Sequence, residues 1–252
     1  MDFSTGFLFI IYLLISMAGL GAYFYFIFMR KDLHTRDKEL GERGESVMVN
    51  RKTREFWLWL TNPIEEYLVK NQFHPNTVSF IGFAITSFSC IAFTFGWVVV
   101  GGWCVLLGGT MDIFDGRVAR RTGKITMSGD YLDANLDRIS EALMYLGLLN
   151  FYANQLFFYV VFTAFIASMM ISYSKARGYQ LKMDVKVGLM QRPERIVWIG
   201  IPAIFSPLFA AAVNTWLPIS HYWLSAVGIT VVAMMGAYTY WQRFDFIYKK
   251  LK

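Results

Sequence analysis

Four stretches of the chain carry no Lys, Arg, Asp or Glu: residues 3–29, 75–111, 142–174 and 196–242. A helix that crosses a bilayer needs about 20 predominantly apolar residues. The first stretch therefore holds one span. Each of the others holds two, broken near Gly96, across residues 150–155, and around residues 214–221 where Pro218 lies. The N-terminal run is far longer than the ~7–15-residue apolar core of a signal peptide and no basic segment precedes it, so it reads as a retained span. Residues 55–70 depart from this pattern. There Trp57 and Trp59 interleave with charged residues at helical spacing in a segment too short and too charged to cross, which predicts an amphipathic helix along the membrane interface. Residues 30–54 are polar, mix both charges and read as a linker. The expectation is an all-α integral membrane protein: an N-terminal transmembrane helix (residues 1–29), a cytoplasmic linker (30–54), and a domain of one interfacial and six transmembrane helices (55–252).

Composition agrees, since 56% hydrophobic and 17% charged residues exclude an ordinary soluble domain. Charge then orients the spans. With Asp2 outside, the outer segments (residues 1–5, the turn at Gly96, 150–155 and 214–221) contain no Lys or Arg, so all 24 basic residues fall on one face. The positive-inside rule makes that face cytoplasmic and puts the N-terminus outside. The net charge of +6 gathers where anionic headgroups or phosphorylated substrates would meet it. No basic segment free of spans carries a nucleic-acid-binding motif. Cys90 and Cys104 lie on adjacent helices without metal-ligand spacing and read as small buried thiols; His34, His74 and His221 are scattered.

Against this apolar background, Asp112, Asp115, Asp133 and Asp137 are the informative residues. Two spans of about 20 residues overrun both residues 75–111 and residues 142–174. The second core helix must therefore continue through Asp112 and Asp115, and the third must begin near Asp130, so both acid pairs lie at cytoplasmic helix ends. On a helix, Asp112 and Asp115 project about 60° apart and Asp133 and Asp137 about 40° apart. Each pair shares a face, and a short connection makes the two helices neighbours. Ionised aspartates at membrane depth cost roughly 2.5–3.5 kcal/mol each and normally face a partner, a cavity or a metal. An all-carboxylate set suits hard cations such as Mg²⁺ or Mn²⁺. Arg117, Arg120, Arg121 and Lys124 supply phosphate-pairing donors around it, and Gly116 and Gly129 leave room for a ligand or backbone to approach. Together these residues point to a phosphorylated nucleotide substrate.

The run Asp112-x-x-Asp115-Gly116-x-x-Ala119-Arg120-x(8)-Gly129-x-x-x-Asp133-x-x-x-Asp137 resembles the complete signature of the CDP-alcohol phosphotransferase family, and every specified residue is present. The resemblance extends over the interfacial helix and six-helix core, leaving residues 1–54 outside it. It implies an enzyme that transfers the phosphatidyl group of a CDP-lipid to an acceptor hydroxyl with release of CMP. It also implies a divalent-metal centre, Mg²⁺ or Mn²⁺ and two ions, on Asp112, Asp115 and Asp133, with Asp137 as general base and further metal contact. Gly116, Ala119, Arg120 and Gly129 would take the CDP moiety, and the enzyme would be a homodimer among membrane lipids.

The acceptor is indicated by a second pair of segments. Ser172-Tyr-Ser-Lys175-Ala-Arg177-Gly178 ends the fourth core helix and Gly188-Leu-Met-Gln-Arg192-Pro-Glu-Arg195 begins the fifth. These are similar to the acceptor-phosphate segments of phosphatidylinositol-phosphate synthases, which makes Lys175, Arg192 and Arg195 the expected acceptor-phosphate site and inositol phosphate the expected acceptor. Glycerol phosphate, serine and free inositol are the alternatives within the family. Outside it, an ion-coupled transporter would also place an aspartate cluster on membrane helices. Glu141 continues the Asp133–Asp137 stripe, either supporting the site or pairing with a neighbouring helix.

Overall fold

The computed structural model describes residues 17–19, 21–26, 51–213 and 220–252. The N-terminal span and linker expected over residues 1–54 lie largely outside the described residues, as does most of the 214–221 turn. Among the described residues there is no strand. The long helices are α1 (Arg51–Lys70), α2 (Pro75–Thr94), α3 (Val98–Thr122), α4 (Met127–Phe151), α5 (Phe158–Gln180), α6 (Arg192–Val213) and α7 (Trp223–Leu251).

These boundaries follow local chemistry. His74 caps α2, its Nδ1 accepting from the Asn76 N–H at 3.3 Å, and Pro75 occupies the first turn, where no backbone donor is lost. Gly96, at φ +74°, turns the chain between α2 and α3. α1 starts at Arg51, inside the stretch read as linker, and α4 at Met127 rather than near Asp130. The reason for the second shift is Thr126, whose Oγ1 accepts from the Gly129 N–H at 3.0 Å and so begins the helix one turn early.

Among the described residues five helices, α2, α3, α5, α6 and α7, are long and apolar enough to cross a membrane. α4 is equally long, but Asp130, Asp133, Asp137, Arg138 and Glu141 lower its apolar content. Asp133 and Asp137 belong to the site described below, and Glu141 pairs beside it.

The chain forms two compact units, Met1–Pro63 and Ile64–Lys252. In the first, the Tyr23 and Phe26 rings pack on Phe56 with centroids at 5.1 and 5.6 Å, and the Tyr23 hydroxyl meets Thr53 Oγ1 at 3.2 Å. In the second, the packing pairs close a ring: α4 on α2, α2 on α3, α3 on α6, α6 on α7, α7 on α5, and α5 more lightly on α4. Small residues permit the close contacts, as expected where lipid removes the hydrophobic drive for helix association. A Cβ on Gly102 of α3 would lie 2.8 Å from the Gly200 carbonyl of α6, and one on Gly147 of α4 would lie 2.5 Å from the Cys90 carbonyl of α2. At one end of this ring Leu68, Val78, Phe114 and Val118 form a buried apolar cluster with Phe73 and Met111 packed on it. That cluster joins α1, α2 and α3 immediately beside the aspartates.

Candidate active site

α3 reaches Thr122 without a break because Phe114 and Val118, both fully buried, keep one face in the apolar cluster while Asp112 and Asp115 occupy another. Gly123 then takes a left-handed conformation (φ +68°) and ends the helix. Its N–H donates to the Arg120 carbonyl at 3.4 Å and that of Lys124 to the Ala119 carbonyl at 2.9 Å, a Schellman pair that sets the turn into α4. The turn brings the aspartates of α3 and α4 face to face.

All four line one cavity with Ser79, Gly82, Phe83 and Thr86 of α2 and Arg192 of α6. Carboxylate oxygens of Asp112, Asp133 and Asp137 lie within 4.8 Å of one another. Asp115 sits deeper, 5% exposed, with Oδ2 accepting from the Ser79 hydroxyl at 2.7 Å and Oδ1 from the Gly116 N–H at 2.5 Å. Three carboxylates so close, with a fourth behind them, form a donor set that fits a hard divalent cation. Arg192 supplies local positive charge: its Nη1 lies 2.6 Å from Asp112 Oδ1 and 2.5 Å from Asp137 Oδ2, bridging the two helices.

Around the cavity, Gly116 is half-buried under Arg120, whose Nη1 would be 3.2 Å from a Cβ at that position. Ala119 is half-buried and Arg120 exposed on the same helix. Gly129 is crowded by Thr126 Oγ1 and Asn76 Oδ1, at 3.0 and 3.3 Å from a Cβ there. None of the four is part of the cavity lining itself.

The basic residues divide differently from the expectation. Arg117 and Arg121 donate to Glu65 of α1 at 2.8 and 3.1 Å, Arg121 also reaches Glu66, and Lys124 donates to the Gln72 carbonyl at 3.2 Å. Arg117 and Arg121 pin α1 to α3 through its acidic residues, and Lys124 ties the turn after α3 to the carbonyl just beyond α1.

The expected acceptor-phosphate residues also part company. Arg192 lines the cavity, whereas Lys175 and Arg195 do not. Lys175 is exposed at the end of α5, with Nζ 5.8 Å from the Tyr179 ring centroid. Arg195 is 2% exposed, its Nε and Nη2 donating to Glu141 at 2.7 and 3.1 Å and its Nη1 to the Met190 carbonyl at 3.4 Å. Asp137 and Glu141, one turn apart on α4, thus face Arg192 and Arg195, one turn apart on α6, as two rungs of a ladder. Arg192 meets Asp112 and Asp137 while Arg195 meets Glu141, so the two guanidinium groups have different carboxylate partners. In the exposed segment between α5 and α6, Lys186 pairs with Asp184 at 2.7 Å, which holds its ammonium above the ordinary range.

Ser79, Glu65 and Glu141's pairing with Arg195 complete the arrangement. Nothing in the sequence singles out Ser79 among the Ser and Thr residues of its span. Glu65 was visible only as one charge of an amphipathic helix.

The CDP-alcohol phosphatidyltransferase family model matches residues 72–233. Phosphatidylinositol phosphate synthase of Cutibacterium acnes is 31% identical over 196 residues, covering 73% of this chain and 94% of its own. Archaetidylinositol phosphate synthase of Methanothermobacter thermautotrophicus is 28% identical over 178 residues, 69% of this chain and 83% of its own. The crystal structure of phosphatidylinositol phosphate synthase from Mycobacterium tuberculosis in complex with manganese and citrate superposes with a TM-score of 0.62 at 26% identity, covering 75% of this chain and 88% of that one. The same enzyme with CDP-DAG bound gives 0.61, covering 74% and 92%. A motif complete in sequence, its four aspartates lining one cavity, and a family model matched over residues 72–233 place this chain in the CDP-alcohol phosphatidyltransferase family.

Proposed function

We propose that this membrane enzyme transfers the phosphatidyl group of a CDP-diacylglycerol-type lipid to the hydroxyl of inositol phosphate, releasing CMP and forming phosphatidylinositol phosphate. The observation that carries the reading is the single cavity in which four aspartates from α3 and α4 meet a cation from α6. Curated relatives named phosphatidylinositol or archaetidylinositol phosphate synthase support the choice of acceptor.

Asp112, Asp115, Asp133 and Asp137 are the proposed ligands of one or two divalent ions, Mg²⁺ or Mn²⁺. Such ions would spread the diphosphate charge and help CMP leave. The chain's own residues do the rest. Ser79 and the Gly116 N–H orient the Asp115 carboxylate. Gly116, Ala119 and Gly129 allow the cytidine end of the substrate to lie close to α3 and α4, and Arg120 pairs with its diphosphate. The Asp137 carboxylate takes the proton of the acceptor hydroxyl, whose oxygen bonds to the lipid-bearing phosphorus as the bond from that phosphorus to the CMP oxygen breaks. A positioned base of this kind typically contributes about 10²–10⁴-fold.

Arg192 is the proposed contact to the acceptor phosphate, with Lys175 adding charge from the end of α5. Arg195 acts on that site indirectly, through the rung it forms with Glu141. The site faces the cytoplasm and the N-terminus lies outside, as the one-sided basic residues imply. The homodimer implied by the family resemblance belongs to the same proposal and is read by the mass of the purified particle.

The experiment is a product assay. The purified protein is incubated with CDP-diacylglycerol, Mg²⁺ or Mn²⁺, and labelled inositol phosphate, glycerol phosphate, serine or inositol. CMP and a phosphatidylinositol phosphate band are expected with inositol phosphate. A better yield with an unphosphorylated alcohol overturns the acceptor and leaves the reaction class intact.

A further inference from the structure

α7 is longer than the membrane requires. Its 29 residues rise about 43 Å at ~1.5 Å each, against a hydrocarbon core of about 30 Å. The charge-free stretch that runs into it ends at residue 242, roughly 20 residues after Trp223, which is the length of one span. Residues 244–252 therefore stand past the hydrocarbon, at the end of the bundle that carries the aspartates. The end of α5 and the segment after it lie against the same turns, because a Cβ on Gly178 would overlap Val185 and lie 3.6 Å from Ile247 Cδ1. Residues 181–187 and 244–252 make one surface.

That surface is dominated by one sign of charge. The two segments hold five lysines and two aspartates, and every one of the lysines is exposed. Asp184 meets Lys186 at 2.7 Å and Asp245 meets Lys249 at 2.8 Å. The ammonium groups of Lys250 and Lys252 stand over the Phe246 and Tyr248 rings, 4.5 and 5.2 Å from their centroids. A ring attracts a cation without neutralising it, so the positive excess persists. Trp241, Phe244 and Tyr248 are exposed beside the lysines, and such rings settle at headgroup depth. Rings toward the hydrocarbon and ammonium groups toward the water match a phospholipid whose head carries phosphate. A zwitterionic head brings its own cation and leaves the excess uncancelled, so charge complementarity selects a head with net negative charge.

We infer that the last turns of α7 and the α5–α6 segment form a binding surface for anionic phospholipid headgroups on the active-site side of the membrane. None of these residues lines the catalytic cavity, and the inference does not depend on the identity of the acceptor. The surface gathers around the enzyme the class of lipid to which a CDP-lipid belongs.

The test maps lipid contacts in a bilayer. The protein is reconstituted into phosphatidylcholine vesicles that contain a small fraction of phosphatidylglycerol or phosphatidylcholine bearing a photoreactive group near the head, and cross-linked peptides are identified by mass spectrometry. A lysine near an anionic surface is worth about 5-fold in association, so peptides covering residues 181–187 and 244–252 should capture phosphatidylglycerol over phosphatidylcholine by roughly 5-fold or more. The peptide that begins at Trp223, at the opposite end of α7, should show no preference. Lys182→Gln/Lys186→Gln and Lys249→Gln/Lys250→Gln/Lys252→Gln should each lower the ratio, and the five changes together should bring it to about 1, as should salt near ~1 M, where the screening length is about 3 Å. CMP release at saturating substrate that stays within about 2-fold of the parent distinguishes lost lipid contact from lost fold. A ratio near ~1 in the unmodified protein, or one that the five substitutions leave unchanged, overturns the inference. So does displacement of the lipid by free glycerol phosphate at equal concentration, since a phosphate without chains would then suffice. If the combined variant fails to fold, the salt series on the unmodified protein decides.

Discussion

Replacing Arg195 with Gln separates the acceptor-phosphate role expected from sequence from the buried pairing with Glu141 seen in the structure. The side chain is 2% exposed and its partner Glu141 is 7% exposed, with two charge-assisted hydrogen bonds of 2.7 and 3.1 Å between them. Removing one member of a buried pair leaves the other charge desolvated and uncompensated, at a cost of about 3–5 kcal/mol. For a chain of this size each kcal/mol lowers Tm by roughly 2–4 °C, so Arg195→Gln should unfold about 6–20 °C below the parent in detergent. The double variant Glu141→Leu/Arg195→Met removes both charges and should lose less than either single change, because no ion is then stranded. Thermal unfolding of the parent, both singles and the double gives the coupling directly. The reasoning is refuted if Arg195→Gln melts within about 2 °C of the parent and raises only the acceptor KM. Arg195 would then be a phosphate ligand and its bond to Glu141 incidental.

Chelation with EDTA should abolish CMP release and added Mg²⁺ or Mn²⁺ should restore it, while Asp115→Asn should remove nearly all turnover in the same assay; full activity in EDTA would contradict the metal assignment. Glu65→Gln removes the shared partner of Arg117 and Arg121 and should cost about 1–3 kcal/mol, read as a fall in Tm that Glu66→Gln, at an exposed position, does not reproduce. Cysteines introduced at Asp2 or Thr215 should react with an impermeant thiol reagent on intact cells and those at Thr35 or Lys250 should not, and the opposite pattern would reverse the proposed orientation.

The helical plan was legible because membrane spans announce themselves by the absence of charge. The charge-free stretches 75–111, 142–174 and 196–242 each contain the two helices expected, and the first two breaks fall where Gly96 and residues 150–155 indicated. The convergence of the aspartates followed from helix period and a short connection, since Asp112 and Asp115 share one face and Asp133 and Asp137 another. What apolar content could not supply was the rank of α4 as a span. Its five charges resemble those of a surface helix until the cavity that receives two of them, Asp133 and Asp137, is known.

The basic residues were less legible because a long flexible side chain does not declare its partner through its position. Arg117, Arg121 and Lys124 flank the motif in sequence, yet they turn to Glu65 and the Gln72 carbonyl, groups on or just beyond α1 and more than forty positions away. Arg192 and Arg195 show the same limit at closer range. Three positions apart on α6, they project about 60° apart, enough for one to reach Asp137 and the other Glu141. The aspartate motif prescribes its own geometry because every member is short and fixed to a helix. The cations choose among partners that only the tertiary fold brings within reach, so sequence spacing alone does not assign them: Arg192 meets Asp112 and Asp137 while Arg195 meets Glu141.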